Sequence, residues 1–89
     1  MPSFSARIRG QVQGVGFRAY AAIEARALGL AGFAANRPDG SVEIYAEGRR
    51  ADLDRMIALL RRGPRAARVE ACEVTFGDGE RRLKGFEIH

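Results

Sequence analysis

The chain has 89 residues, 46% hydrophobic and 29% charged, which is the composition of one folded domain over 1–89. It excludes a disordered tail or a large cofactor-binding fold. Fifteen basic against eleven acidic residues leave a charge of +4, which favours a small anionic ligand over a cationic one. No apolar run is long enough to span a bilayer, and Met1 to Arg7 lack the apolar core of a signal peptide. A cytoplasmic protein without membrane contact is expected.

Residues 4–12 alternate: Phe4, Ala6, Ile8, Gly10 and Val12 share one face, and Ser5, Arg7, Arg9 and Gln11 the other. This is the pattern of a half-buried strand. Gln13-Gly14-Val15-Gly16 ends it. Phe17 to about Leu28 is rich in Ala and free of breakers, which predicts a helix capped at Gly29. Its buried face is ambiguous, because Phe17, Ala21 and Leu28 form one stripe and Tyr20, Ile23 and Ala27 another. Leu30 to Asn36 reads as a second strand. Arg37-Pro38-Asp39-Gly40 is turn chemistry, and Ser41 to Glu47 alternates again with Val42, Ile44 and Ala46 inward. The two strands should form a hairpin.

Gly48 opens a second helix, in which Leu53, Met56, Ile57 and Leu60 fall at i, i+3, i+4, i+7. Asp52 and Asp54 lie near its positive end and Arg61 and Arg62 near its negative end, as the helix dipole prefers. Gly63-Pro64 stops it. Cys72, Val74 and Phe76 share one parity and predict a strand. Val69 has the opposite parity and is expected in the approach loop. Gly77-Asp78-Gly79 should turn, and Leu83 to Ile88 should form a last strand with Phe86 and Ile88 inward. The order is β-α-β-β-α-β-β, with two helices on one face of a small sheet. The first six elements give an α+β, ferredoxin-like βαββαβ sandwich with a mixed or antiparallel sheet, and the last strand is an added edge. This fold hosts many functions, so function must come from a site.

All but one of the basic residues are arginine, and they are dispersed, many beside acids such as Asp52 and Asp54. A nucleic-acid binder more often presents one basic stripe, so no nucleic-acid partner is expected. Cys72 stands alone, which excludes an intrachain disulfide and a cysteine metal site, and the one histidine is His89. No cofactor or metal is expected.

The segment Gly14-Val15-Gly16-Phe17-Arg18 joins a strand to a helix. Glycine lets main-chain N–H groups converge, the helix start adds unpaired N–H groups, and Arg18 adds a forked cation. Together they suit a phosphate. The plainer reading is a tight turn with an exposed arginine. The segment also matches a relaxed dinucleotide-binding fingerprint, but a hairpin follows it and the chain is too short for that fold. It lacks the Gly-Lys-Ser/Thr of a Walker loop. Asn36 is either a turn-capping residue or, if the hairpin lies beside the first strand, a neighbour of the loop at 14–18.

The run from Ile8 through Gly10-Gln11-Val12-Gln13-Gly14-Val15-Gly16-Phe17-Arg18 resembles the first signature of acylphosphatases. Gly32-Phe33-Ala34-Ala35-Asn36-Arg37-Pro38-Asp39-Gly40-Ser41-Val42, closed by Gly48, resembles the second. Weaker similarity extends over about residues 6 to 88. The resemblance implies a stand-alone, metal-free hydrolase of carboxyl-phosphate anhydrides. It matches Arg18 to the arginine that binds phosphate and Asn36 to the asparagine that holds the attacking water. It also favours Phe17, Ala21 and Leu28 as the buried face of the first helix. The substrate-binding set is then Gly14, Val15, Gly16, Phe17 and Arg18, and the partner is a small acyl phosphate. Ala35 departs from the family, which often carries Arg, Lys or Gln there. It should point away from Asn36, altering substrate preference or surface charge.

The alternatives are a non-catalytic phosphate- or anion-binding module of the same fold, a ferredoxin-like RNA binder, and an acyl-phosphate domain of larger carbamoyl-transfer proteins. The RNA binder lacks its stacking aromatics, and the transfer proteins need a partner domain. With no long apolar surface stripe, a monomer is expected.

Overall fold

The computed structural model describes residues 1–79 and 82–89. Its elements are β1 (Pro2–Gln11), α1 (Phe17–Ala27), β2 (Ala31–Asn36), β3 (Val42–Glu47), α2 (Arg50–Arg62), β4 (Arg68–Asp78) and β5 (Phe86–Ile88). The sheet order is β4-β1-β3-β2-β5. All neighbours are antiparallel except β2 and β5, which run parallel. This is the ferredoxin-like arrangement with β5 added at the edge beyond β2. The first strand begins earlier than its alternation suggests, because Pro2 and Ser3 already pair with the far end of β4.

One face of the sheet carries the core. Phe4, Ala6 and Ile8 from β1, Ala34 from β2, and Val42, Ile44 and Ala46 from β3 lie buried against both helices. The four residues of the α2 stripe, Leu53, Met56, Ile57 and Leu60, are all buried there. Each such side chain contributes roughly 1.5–3 kcal/mol relative to exposure. In α1 the buried face is Phe17, Ala21, Ala22 and Ala25. Leu28 is only partly buried, and Ile23 is 63% exposed. Small alanines let α1 approach the sheet closely, and Tyr20 ties it to α2 by donating its hydroxyl to the Leu59 carbonyl at 2.7 Å. The end of α1 is a Schellman turn: Gly29 N–H donates to Arg26 O at 3.1 Å and Leu30 N–H to Ala25 O at 2.9 Å, with Gly29 at φ 72°.

Three expectations are corrected. Val69 belongs to β4 rather than to its approach, and it faces the core together with Cys72 and Val74. A bulge makes this shared face geometrically consistent: Gly10 pairs with Val69 but Arg9 with Ala71, so one extra residue of β4 resets the alternation. Gly10 permits it, since a Cβ there would fall on the Arg68 carbonyl oxygen. The segment expected to turn at 77–79 instead continues β4 through Asp78, and Phe76 is exposed beneath the Arg50 guanidinium, 3.8 Å above its ring. Finally, β5 has only three residues. Phe86 is buried as expected, but Ile88 is 46% exposed, and Leu83 packs on the opposite sheet face against Phe33, Ala35 and Tyr45.

Candidate active site

The loop from β1 into α1 makes two left-handed turns of the backbone. Gly14 has φ 75° and Gly16, the N-cap, φ 79°. Side chains other than glycine are strained there, although a Cβ would meet open space at both positions. No side chain caps the helix and no acidic residue occupies its first turn. The first main-chain bond inside the helix runs from Tyr20 N–H to Gly16 O at 3.0 Å, so the N–H groups of Phe17, Arg18 and Ala19 precede any intrahelical acceptor. Natural helix starts of this kind attract anions.

A pocket of about 170 Å³ opens at this point, lined by Val12, Gly14, Gly16, Phe17, Arg18, Ala19, Asn36 and Ile88. It brings together Gly14, Gly16, Phe17, Arg18 and Asn36 from two segments separated in sequence. Phe17 has its ring buried in the core, so it offers the pocket its main chain. Val15 is not part of the lining and packs its side chain against the core. Arg18 donates from Nη1 to the main-chain oxygen of His89 at 2.7 Å. Among the described residues no Asp or Glu side chain pairs with it, so its remaining N–H groups are available to a ligand. Asn36 ends β2 on the parity of Ala34, the helix-covered face. Among the described residues its exposed side-chain amide has no hydrogen-bond partner.

Ala35 points away from Asn36, as its place in the strand requires. It is buried with Phe33 and Tyr45 on the other face. Larger hollows exist, one of about 880 Å³ around Glu47, Gly79 and Lys84, but it lies away from the cradle residues. Burial pushes the Cys72 thiol up, against the opposing effect of Arg61, so it is a poor nucleophile, and it sits in β4 outside the pocket.

The sequence pattern gives no sign of two features here. One is Ile88, expected inward, which lines the mouth. The other is the β5 end that steadies Arg18. There His89 N–H donates to Ala34 O at 2.8 Å, and the His89 ring stacks on Phe33 with centroids 4.8 Å apart. Arg26 grips the same strand by donating from Nε and Nη2 to Phe86 O at 3.2 and 2.8 Å.

The turn after Asn36 is stiffened by Asp39. Its Oδ1 accepts from Ser41 N–H at 3.0 Å and Ser41 Oγ at 2.5 Å, while Oδ2 faces Arg7 and Arg9 at 3.3 and 3.4 Å. The bonds from Ser41, aided by the two guanidiniums, lower its carboxyl from 3.8 to about 2. A depressed carboxylate stabilises the fold above its ordinary value, and that contribution is lost as pH falls through the depressed one. Asp39→Asn should therefore lower the urea midpoint at about pH 6 and leave it close to wild type at about pH 2. An equal gap at both values would contradict the assignment.

The acylphosphatase family model matches residues 4–88, nearly the whole chain. The chain belongs to the acylphosphatase family. An acylphosphatase of Thermus thermophilus is 51% identical over the full length of both chains. The crystal structure of an acylphosphatase from Bacillus subtilis superposes with a TM-score of 0.97 at 35% identity, covering 100% of this chain and 99% of that one. The structure of T. kodakarensis HypF also matches, with a TM-score of 0.88 at 29% identity, but this chain covers only 12% of it. The same fold is thus found both as a whole protein and as a small part of a much longer one. The pocket between Gly14 and Asn36 lies inside the matched span.

Proposed function

We propose that this chain hydrolyses acyl phosphates to a carboxylate and inorganic phosphate, with Gly14, Val15, Gly16, Phe17 and Arg18 as the phosphate-binding loop and Asn36 holding water. One observation carries the reading. An uncapped glycine-flanked helix start, a guanidinium without an Asp or Glu partner among the described residues, and an unengaged amide meet in one small pocket.

The loop N–H groups and Arg18 take the equatorial oxygens of the phosphoryl group and neutralise the charge that would repel a nucleophile. Val15 contributes through its main chain only. Asn36 orients a water in line with phosphorus, donating or accepting through its amide, since it is no base at neutral pH. The new O–P bond forms as the P–O bond to the acyl group breaks, and the water's proton passes to a phosphate oxygen. The leaving carboxylate, with a pKa of about 4, departs without a general acid. No histidine, thiolate or carboxylate pair is required.

Because charge neutralisation falls to Arg18 and the main chain, turnover should be independent of metal. Purified protein should hydrolyse benzoyl phosphate at the same rate with and without EDTA. A rate lost to EDTA and restored by a divalent cation would contradict this. A folded protein that binds inorganic phosphate without turnover would instead be the anion-binding module.

We further infer one self-sufficient domain over 1–89, monomeric, cytoplasmic and without a nucleic-acid partner. Among the described residues five arginines are paired with acids: Arg7 and Arg9 with Asp39, Arg37 with Glu43, Arg49 with Asp52 and Arg50 with Asp54. Of the exposed large apolar residues, Ile23, Phe76 and Ile88 come from different elements and Met1 precedes β1. The unpaired Cys72 suits a reducing compartment. Light scattering on the same preparation should read one species near 9.7 kDa.

A further inference from the structure

One side chain outside the pocket's lining joins the two segments that carry the candidate groups. Gln13 directly precedes Gly14. Its Nε2 donates to the main-chain oxygens of Arg37, at 2.7 Å, and Ser41, at 2.9 Å. Those oxygens are the two that close the turn between β2 and β3. Arg37 N–H donates to Ser41 O at 2.8 Å, and Gly40 N–H donates to Arg37 O at 3.0 Å. Each carbonyl therefore spends one lone pair inside the turn and the other on Gln13. Both hydrogens of the amide nitrogen are used, and the reverse orientation would set oxygen against two oxygens.

We propose that Gln13 is a positioning residue that holds Asn36 in register with the anion cradle at 14–18. Asn36 is bonded to Arg37 in the chain, and Gln13 to Gly14, so the strut spans from one residue before the cradle to one residue after the amide. The hairpin ladder fixes Asn36 against Val42, and Asp39 ties the tip of the turn to Arg7 and Arg9. Neither of these reaches the loop at 14–16. Without Gln13 the turn stays folded, but its offset from the cradle is no longer set by a direct bond. The inference rests on the proposed water-holding role of Asn36.

Two variants test it. Gln13→Met keeps the length and removes the donor, and Gln13→Glu keeps the shape and places a carboxylate against two carbonyl oxygens. Misplacing a reacting group by about 1 Å can cost on the order of a hundredfold, so kcat on benzoyl phosphate should fall roughly ten- to a hundredfold in both. Inhibition by inorganic phosphate should stay within about twofold of wild type, because the cradle and Arg18 are untouched. In an Asn36→Ala background, Gln13→Met should change kcat by less than about twofold, since the group it positions is gone. A folded Gln13→Met with wild-type kcat would overturn the proposal. So would losses that multiply in the double variant, or weakened phosphate inhibition. An inactive wild type would overturn the proposed function instead, which keeps the two failures apart.

Discussion

Replacing Arg18 with Gln is expected to remove about 3 kcal/mol or more of transition-state stabilisation, the scale of a lost oxyanion-hole donor. That is about two orders of magnitude or more in kcat/KM. Glutamine keeps a polar head but loses the charge and the fork that matches two phosphate oxygens at once. Two observations make the loss chemical rather than structural. Arg18 is only partly buried, and among the described residues its one hydrogen bond is to the His89 main-chain oxygen at 2.7 Å. Circular dichroism should therefore be unchanged, and the unfolding free energy should fall by less than about 1.5 kcal/mol. Inhibition by inorganic phosphate should weaken together with turnover, because in the proposed mechanism the same guanidinium serves substrate and product. Arg18→Lys should recover only part of the activity, as a point charge cannot bond bidentately. A folded Arg18→Gln with near-wild-type rates would remove Arg18 from the site.

Much of the architecture is legible in single elements. The α2 stripe is unambiguous because Leu53, Met56, Ile57 and Leu60 are large and regularly spaced, and all four are buried. In α1 the decision falls to alanines, which are neutral in hydrophobic pattern, so Ala22 and Ala25 gave no signal, and Leu28 packs against the core only in part. The parity of β4 could not be read from its own residues. Its alternation resets at a bulge that depends on Gly10, a residue of the neighbouring strand. At the site, the glycines and Arg18 are legible because they are neighbours in the chain, and Asn36 becomes legible once the hairpin is placed beside β1. The supports are not. Gln13 and Arg18 both bond to main-chain oxygens, which every residue carries and no sequence pattern marks. Ile88 reaches the mouth because β5 is a three-residue edge strand, leaving that side chain uncovered.

Asn36→Ala should separate turnover from binding. The substitution removes the amide proposed to orient water and leaves the N–H cradle and Arg18 intact, so kcat should fall by about two orders of magnitude, as when a single preorganised polar group is lost. Inhibition by inorganic phosphate should remain within about twofold of wild type. Stability should barely move, because the side chain is exposed and, among the described residues, unbonded, while the main chain of Asn36 keeps its place opposite Val42. Asn36→Asp gives the sharper contrast. It preserves shape, but a carboxylate only accepts hydrogen bonds and adds negative charge beside the phosphoryl group. It should lose turnover and phosphate inhibition together, where alanine loses turnover alone. Abolished phosphate binding with spared turnover in Asn36→Ala would make the residue a phosphate ligand and leave the water to be held by the loop.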